Sequence, residues 1–299
     1  MIMKKHVAIL TGGTSSEREI ALASADLVQN ALGGRFEMVR YDLPNDLDRF
    51  LAERSTIDAA IPVFHGRGGE DGVIQGFLRT LNIPFIFSDV EAQALAANKS
   101  LSKFLAAKQG IATPEAIVVS QKDTVVYKNP VVVKPLDGGS SIGIAIVRSA
   151  ATLGAALSDA FAQAPKVLIE DFIDGDEYTV PVIETGAGVA ALPVILIKSK
   201  TEFFDLRSKY DPSLVEEICP APIADALSDE LKDAAVKAHF AIGARHLTRS
   251  DFIVDRQGKV WFLEINTIPG LTVNSLTPKA LKVAGIDFGD LLASWIEAL

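Results

Sequence analysis

Residues 250–266, SDFIVDRQGKVWFLEIN, decide the fold. Two runs of apolar, β-branched and aromatic residues flank Arg256-Gln257-Gly258-Lys259, which reads as an antiparallel hairpin with a four-residue connection. That connection sets Asp255 opposite Val260, and counting back in register sets Asp251 opposite Glu264. Side chains alternate along a strand, so Glu264 and Asn266 share a face and Arg249 shares the face of Asp251. Two carboxylates, an amide and a guanidinium therefore converge on a hairpin that is otherwise apolar. Oxygen donors of this kind suit a hard cation, Mg²⁺ or Mn²⁺, better than zinc. The competing reading is a solvated hairpin face. It is weakened because converging carboxylates with no partner hold each other's charge at a cost.

A Mg²⁺ site with few protein ligands usually shares the ion with substrate phosphates. No G-x-x-x-x-G-K-[ST] run occurs, and the Gly12-Gly13 loop lacks dinucleotide spacing. Residues 131–147, VVVKPLDGGSSIGIAIV, offer another glycine-rich loop between two apolar strands. Its backbone N–H groups, with Ser140 and Ser141, would cover phosphates as a flap; an ordinary hairpin turn would look the same. Lys134 ends the preceding strand, and Lys99 is a further cation for the same anion. In residues 168–179, LIEDFIDGDEYT, apolar positions lie near Glu170 and Glu177, which fits an adenine slot with a ribose carboxylate or any strand-turn-strand.

The first 92 residues read as a different kind of unit. HVAIL (6–10), FEMVRYDL (36–43), DAAIPVF (58–64) and IPFIF (83–87) are candidate strands. Helical stretches separate them, the first with an apolar face running from Ile20 to Leu32 and Ser16-x-x-Glu19 as a capping box. Alternating β and α elements imply a doubly wound parallel sheet. Ligands on such sheets sit at the carboxyl ends of strands, where both GGTSSE (12–17) and HGRGGEDG (65–72) fall. Glu17 would repel phosphate there. It is either a helix-terminus charge or a partner for something positive.

A helical pair follows at about 90–109. Short strands and an Ala-rich helix at 151–163 then complete a compact α+β unit over 93–178. The third unit, 179–299, holds the strands EYTVPVIE and ALPVILIKS, the helix DELKDAAVKAHFAIGA and the hairpin. A long polar loop, mobile over about 201–219, interrupts it; loops of that length are usually functional.

Composition narrows the classes. Net charge −9 and pI near 5.0 argue against a nucleic-acid or anionic-membrane binder. The lone Cys219 leaves no intrachain disulfide and suits a reducing cytoplasm. No apolar run is long enough to span a bilayer, and MIMKKHVAIL lacks the form of a signal peptide.

TGGTSSERE (11–19), HGRGGEDG (65–72), VVVKP with GGSSIG, SKY (208–210) with CPA (219–221), TRSDF (248–252) and FLEINTIPGLTVNS (262–275) together resemble the D-alanine–D-alanine ligases of the ATP-grasp superfamily. The matches keep family order and span nearly the whole chain. The resemblance implies a two-domain ATP-grasp fold behind the parallel-sheet domain, with ATP between the lobes. It implies that Glu17 holds the ammonium of the first D-alanine, linked to Ser140 and Tyr210. His65, Ser275 and Leu276 match contacts for the second D-alanine. Arg249 and the N–H of Gly270 match the oxyanion stabilisers. Lys99, Lys134, Ser140, Ser141 and Lys209 match phosphate contacts; Glu170, Phe172, Ile173 and Glu177 match the adenine and ribose contacts. Asp251, Glu264 and Asn266 match ligands for two Mg²⁺ or Mn²⁺ ions. A homodimer and a role in peptidoglycan precursor synthesis also follow from the resemblance alone. The flap departs from the family in reading LDGG, which leaves backbone N–H groups as its phosphate contacts.

Two rivals stand beside this reading. A D-Ala–D-Ser or D-Ala–D-lactate ligase would share the scaffold, though Tyr210 speaks against the lactate type. A nucleotide-binding regulator without catalysis would keep the lysines but have no use for Arg249.

Overall fold

The computed structural model describes residues 4–138, 142–199 and 215–299. Strand β1 (His6–Gly12) lies between β2 (Glu37–Leu43) and β3 (Ala59–Pro62), all parallel. Alternation along β1 sends Val7 and Ile9 into one apolar cluster and Ala8 and Leu10 into another, so the sheet is buried on both faces. Helix α1 (Arg18–Leu32) covers the first face through Ala25, Val28 and Leu32. On the other face, α2 (Leu47–Glu53) and α3 (Val73–Thr80) contribute Phe50, Ile74 and Leu78. The expected strand over 83–87 is reduced to a single bridge between Ala60 and Phe85. Pro84 has no N–H to extend the ladder; its carbonyl accepts from Ala60 N–H, and Ile86 N–H donates back to the Ala60 carbonyl.

Helices α4 (Val90–Ala97) and α5 (Lys99–Lys108) follow. A four-stranded antiparallel sheet comes next, in the order β4 (Ala116–Ser120), β7 (Lys166–Asp171), β5 (Val131–Pro135), β6 (Ala145–Val147). Helix α6 (Ala150–Gln163) packs Leu153, Ala156 and Ala160 against it. The second antiparallel sheet runs β11 (Val215–Ile218), β10 (Ile195–Ser199), β8 (Gly175–Thr185), β12 (Leu247–Asp255), β13 (Val260–Asn266), with β9 (Gly188–Ala191) paired to β8.

Three features differ from the sequence reading. The stretch ALPVILIKS forms two strands, β9 and β10, broken at Pro193. The long loop was expected to run through 219, but Val215–Ile218 pairs with β10, Ser199 facing Val215 and Leu196 facing Ile218. Helices α4 and α5, grouped by sequence with 93–178, bury Ala96 and Ala106 in the core of the second sheet, and Ile111 just beyond α5 joins them. That core also takes Leu231 and Ala235 from α7 (Asp225–Ala241).

The C-terminal helices α8 (Leu276–Val283) and α9 (Phe288–Glu297) close the remaining seam. Leu281, Leu292, Trp295 and Ile296 share one cluster with Val7, Val28, Ile183 and Leu247. The N-terminal sheet and the second antiparallel sheet are thus joined through a common core, and the residues at their meeting edge hold fixed relative positions.

Candidate active site

The β12–β13 hairpin pairs Asp251 with Glu264 and Arg249 with Asn266, as the sequence implied. The route differs. Val254, not Asp255, faces Val260, and the register shifts by one between Asp251 and Phe252, leaving Leu263 as the extra residue of a β-bulge. The one-residue offset at the turn and the bulge cancel. The bulge also lets Phe252 and Phe262 enter the core while Asp251 and Glu264 take the other face.

On that face Arg249 grips Asp251 with two bonds, Nε to Oδ1 at 3.0 Å and a terminal nitrogen to Oδ2 at 2.9 Å. Thr179 of β8, directly opposite in register, donates to Oδ1 at 2.5 Å. Burial acts against the Arg249 charge, but Asp251 first, then Glu264 and Glu70, overcome it and raise its pKa further. Arg249 is a fixed cation at any working pH. Lys99 Nζ lies 3.4 Å from Glu264 Oε2 and donates to the carbonyl of Gly138 at 2.7 Å. Asn98 caps α5, accepting from the Leu101 N–H, while Lys99 N–H bonds to Leu136. Those bonds tie the lysine to the end of β5. Asn266 Oδ1 accepts from Ile268 N–H. Asp251, Glu264 and Asn266 thus form an adjacent, oxygen-only donor set with cations at its edge, which fits a hard divalent ion shared with phosphate. Each carboxylate has acceptor capacity beyond the bonds described.

Next to this face lies a buried ionic cluster. Glu170, 2% exposed, pairs with Lys103 at 2.8 Å and with Lys134. Lys103 also donates to the Phe262 carbonyl of β13, so it bridges the two antiparallel sheets. Burial would raise the Glu170 pKa, but Lys134 and Lys103 together hold it below the usual range. Lys103 is pushed down to about 8, chiefly by burial and only partly countered by Glu170. A folded value below the ordinary 10.5 means the unfolded chain binds more protons across that window. Its stability penalty therefore shrinks as pH rises from about 8 towards 10.5. Unfolding in urea at about pH 7.5 and about pH 10 should show the native protein gaining on Lys103→Met. A constant gap between the two proteins would contradict that account.

The parallel-sheet loops approach from the other side. Helix α1 starts at Arg18 with Glu17 as N-cap, so the expected capping box from Ser16 does not form. The Ser15 hydroxyl instead accepts from Glu17 N–H at 3.2 Å and donates to the His65 carbonyl at 2.7 Å. Arg18 locks the same loop through two bonds to Asp42 and one to the Gly13 carbonyl. Gly66, at φ +75°, lies so close to the glutamate that a Cβ there would sit 2.6 Å from Glu17 Oε2. The left-handed φ favours glycine there, and a Cβ would also press on Ser15 Cβ at 3.1 Å. The His65 ring is 5% exposed, with Nε2 at 3.0 Å from Ser24 Oγ and Nδ1 at 3.6 Å from Glu70 Oε1. Ser24 Oγ also accepts from Leu271 N–H at 3.3 Å, beside Gly270. Ser275, the N-cap of α8, bonds through its hydroxyl to Thr272 N–H and side chain, and Leu276 is buried.

The structure thus draws Arg249, Asp251, Glu264, Asn266 and Lys99 together. Glu17 and His65 lie on adjoining loops, with His65 linked to the Gly270–Leu276 segment. Glu177 stands on β8 opposite Ile253 and Ile197. Phe172, under the Arg148 guanidinium at 4.4 Å, and Ile173 follow β7. Ser140, Ser141, Lys209 and Tyr210 lie outside the described residues, as does 201–214 of the long loop. Sequence reading missed Lys103, Thr179 and Ser24. Lys103 was findable, four residues beyond Lys99 and so on the same helical face.

A family model described as the D-ala D-ala ligase C-terminus matches residues 101–297. The D-alanine–D-alanine ligase of Syntrophobacter fumaroxidans is 42% identical, over 98% of this chain and 97% of that protein. That of Desulfotalea psychrophila is 40% identical, over 98% and 94%. Among solved structures, the D-alanine–D-alanine ligase from Bacillus anthracis complexed with ATP superposes with a TM-score of 0.84 at 29% identity, covering 98% of this chain and 96% of that one. A D-Ala:D-Ser ligase from Enterococcus faecalis superposes at 0.83 with 27% identity, covering 99% of each.

Proposed function

The chain belongs to the D-alanine–D-alanine ligase family, and from that premise we propose that it joins two D-alanines at the expense of ATP. The observation that carries the reading is the one face of the β12–β13 hairpin on which Arg249, Asp251, Glu264 and Asn266 meet beside Lys99. The two antiparallel sheets are the lobes of an ATP-grasp fold, and Lys99, Lys134, Lys209, Ser140 and Ser141 are assigned to the phosphates. Glu170, Phe172, Ile173 and Glu177 would flank the adenosine.

Glu17 holds the ammonium of the first D-alanine, which turns that substrate's carboxylate towards ATP. A carboxylate oxygen attacks the γ-phosphorus, and the bond from phosphorus to the ADP oxygen breaks, giving an acyl phosphate. Asp251, Glu264 and Asn266 would hold Mg²⁺ or Mn²⁺, two ions in all, whose chemistry is neutralisation of the phosphate oxygens. Lys134 and Lys209 spread the charge of the transferred group. The amine of the second D-alanine, positioned by His65, Ser275 and Leu276, then attacks the acyl carbon. Arg249 and the Gly270 N–H stabilise the oxyanion until phosphate leaves and the amine loses a proton. Water would destroy the acyl phosphate, which gives the 201–214 segment and Tyr210 a covering role.

We further assign 1–92 to substrate binding, 93–178 to the ATP lobe and 179–299 to the catalytic lobe, with α4 and α5 serving the last through their packing. A cytoplasmic homodimer feeding peptidoglycan synthesis completes the proposal. Glu17→Gln tests it directly. Losing a charged bond to the ammonium should lower kcat/KM for the first D-alanine roughly 10- to 100-fold, with ATP affinity unchanged. Unaltered kinetics would remove Glu17 from the substrate site.

A further inference from the structure

We propose that Ser24 is a positioning residue, locking His65 in its Nδ1–H tautomer and pinning the backbone beside Gly270. The inference deepens the proposed acceptor site and takes from it only the role of the groups that His65 and Gly270 face.

Ser24 sits within α1, fully buried, with partners 41 and 247 residues away in sequence. Its hydroxyl accepts from Leu271 N–H, and so has one proton left to place. A buried hydroxyl proton needs an acceptor. Among the described residues the acceptor bonded to Ser24 is His65 Nε2, at 3.0 Å. That bond occupies the Nε2 lone pair and puts the ring proton on Nδ1. The electrostatics on the other side of the ring favour the same arrangement. Nδ1 faces Glu70 Oε1 at 3.6 Å, and the second Glu70 oxygen accepts from Gly66 N–H at 2.7 Å. A proton on Nδ1 meets a carboxylate; a lone pair there would face another acceptor. With the opposite tautomer Nε2–H would still donate to Ser24, but the Ser24 proton would be left without an acceptor and the Nδ1 lone pair would face a carboxylate.

Hydroxyl, imidazole and carboxylate in line have the residue types of a nucleophilic triad. Here the hydroxyl has no exposed surface, so no substrate reaches it. The array fixes geometry instead. His65 keeps Nε2 committed to Ser24 and takes no proton from the incoming amine through that nitrogen. The same hydroxyl carries the link from the parallel-sheet loop to Leu271, holding the Gly270 segment at a set distance from the imidazole.

The tautomer is read directly by long-range proton–nitrogen correlation on the nitrogen-15-labelled full chain. His65→Asn identifies the His65 signals among those of the four histidines. Without substrate at about pH 8, Nδ1 should carry the proton and Nε2 should show the shift of an unprotonated, hydrogen-bonded nitrogen. A proton on Nε2 overturns the proposal, whether or not ligation is found. Ser24→Ala should mix the tautomers and raise KM for the second D-alanine roughly tenfold, the worth of one buried bond, with KM for ATP unchanged. Unchanged ring signals and unchanged KM in that variant would equally overturn it. Should Ser24→Ala fail to fold, the native spectrum alone decides.

Discussion

Arg249→Ala is expected to lower D-alanine-dependent phosphate release by roughly 10²- to 10³-fold, the usual cost of removing one oxyanion donor. The loss should fall on kcat, because the role proposed for the guanidinium is where charge develops and not at ATP itself. Its geometry is well determined before any substrate arrives. Two bonds to Asp251 hold the planar fork, and Thr179 holds Asp251 in turn. Arg249→Lys keeps the charge but cannot reproduce the fork, so it should recover only a small part of the rate. Nucleotide binding measured by calorimetry should be retained in both variants. A variant with normal kcat would take Arg249 out of the chemistry and leave it as a structural partner of Asp251.

The second large effect is on stability. Glu170→Gln keeps shape but leaves Lys103 and Lys134, only 5% and 6% exposed, facing each other without their shared counter-charge. Breaking a buried pair in this way costs about 3–5 kcal/mol, which should appear as a large fall in the urea midpoint. Adding Lys103→Met to Glu170→Gln should return part of that loss, since the two changes touch one cluster and are not additive. A fall of less than about 1 kcal/mol, far under the usual cost of a broken buried pair, would mean the cluster is solvated.

What the sequence made legible depended on whether a signal was local. Strand β1 could be read because HVAIL is a continuous apolar run, as a sheet buried on both faces requires. The site face of the hairpin could be read because alternation fixes faces. Yet its register was reached through two unseen deviations, a one-residue offset at the turn and the bulge at Leu263, which cancel. Strand β11 was hidden: Val215-Glu216-Glu217-Ile218 has no two-residue alternation, and only its pairing with β10 makes it a strand. The 83–87 run fell short because Pro84 interrupts the ladder. Ser24 looked like one more small residue on an apolar helix face, since both its partners are distant in sequence. Lys103 carried a local hint in its spacing from Lys99, but its meaning depends on Glu170 arriving from another sheet.

The most direct measurement is phosphate release from ATP and Mg²⁺ with D-alanine alone, D-alanine plus D-serine, D-alanine plus D-lactate, and L-alanine, each product identified by mass. Robust release with D-alanine alone, yielding D-alanyl-D-alanine, is the predicted result. Release confined to a mixed pair would move the chain to a different acceptor specificity. No release with any of them, by a protein that still binds ATP, would contradict the account while leaving the fold intact.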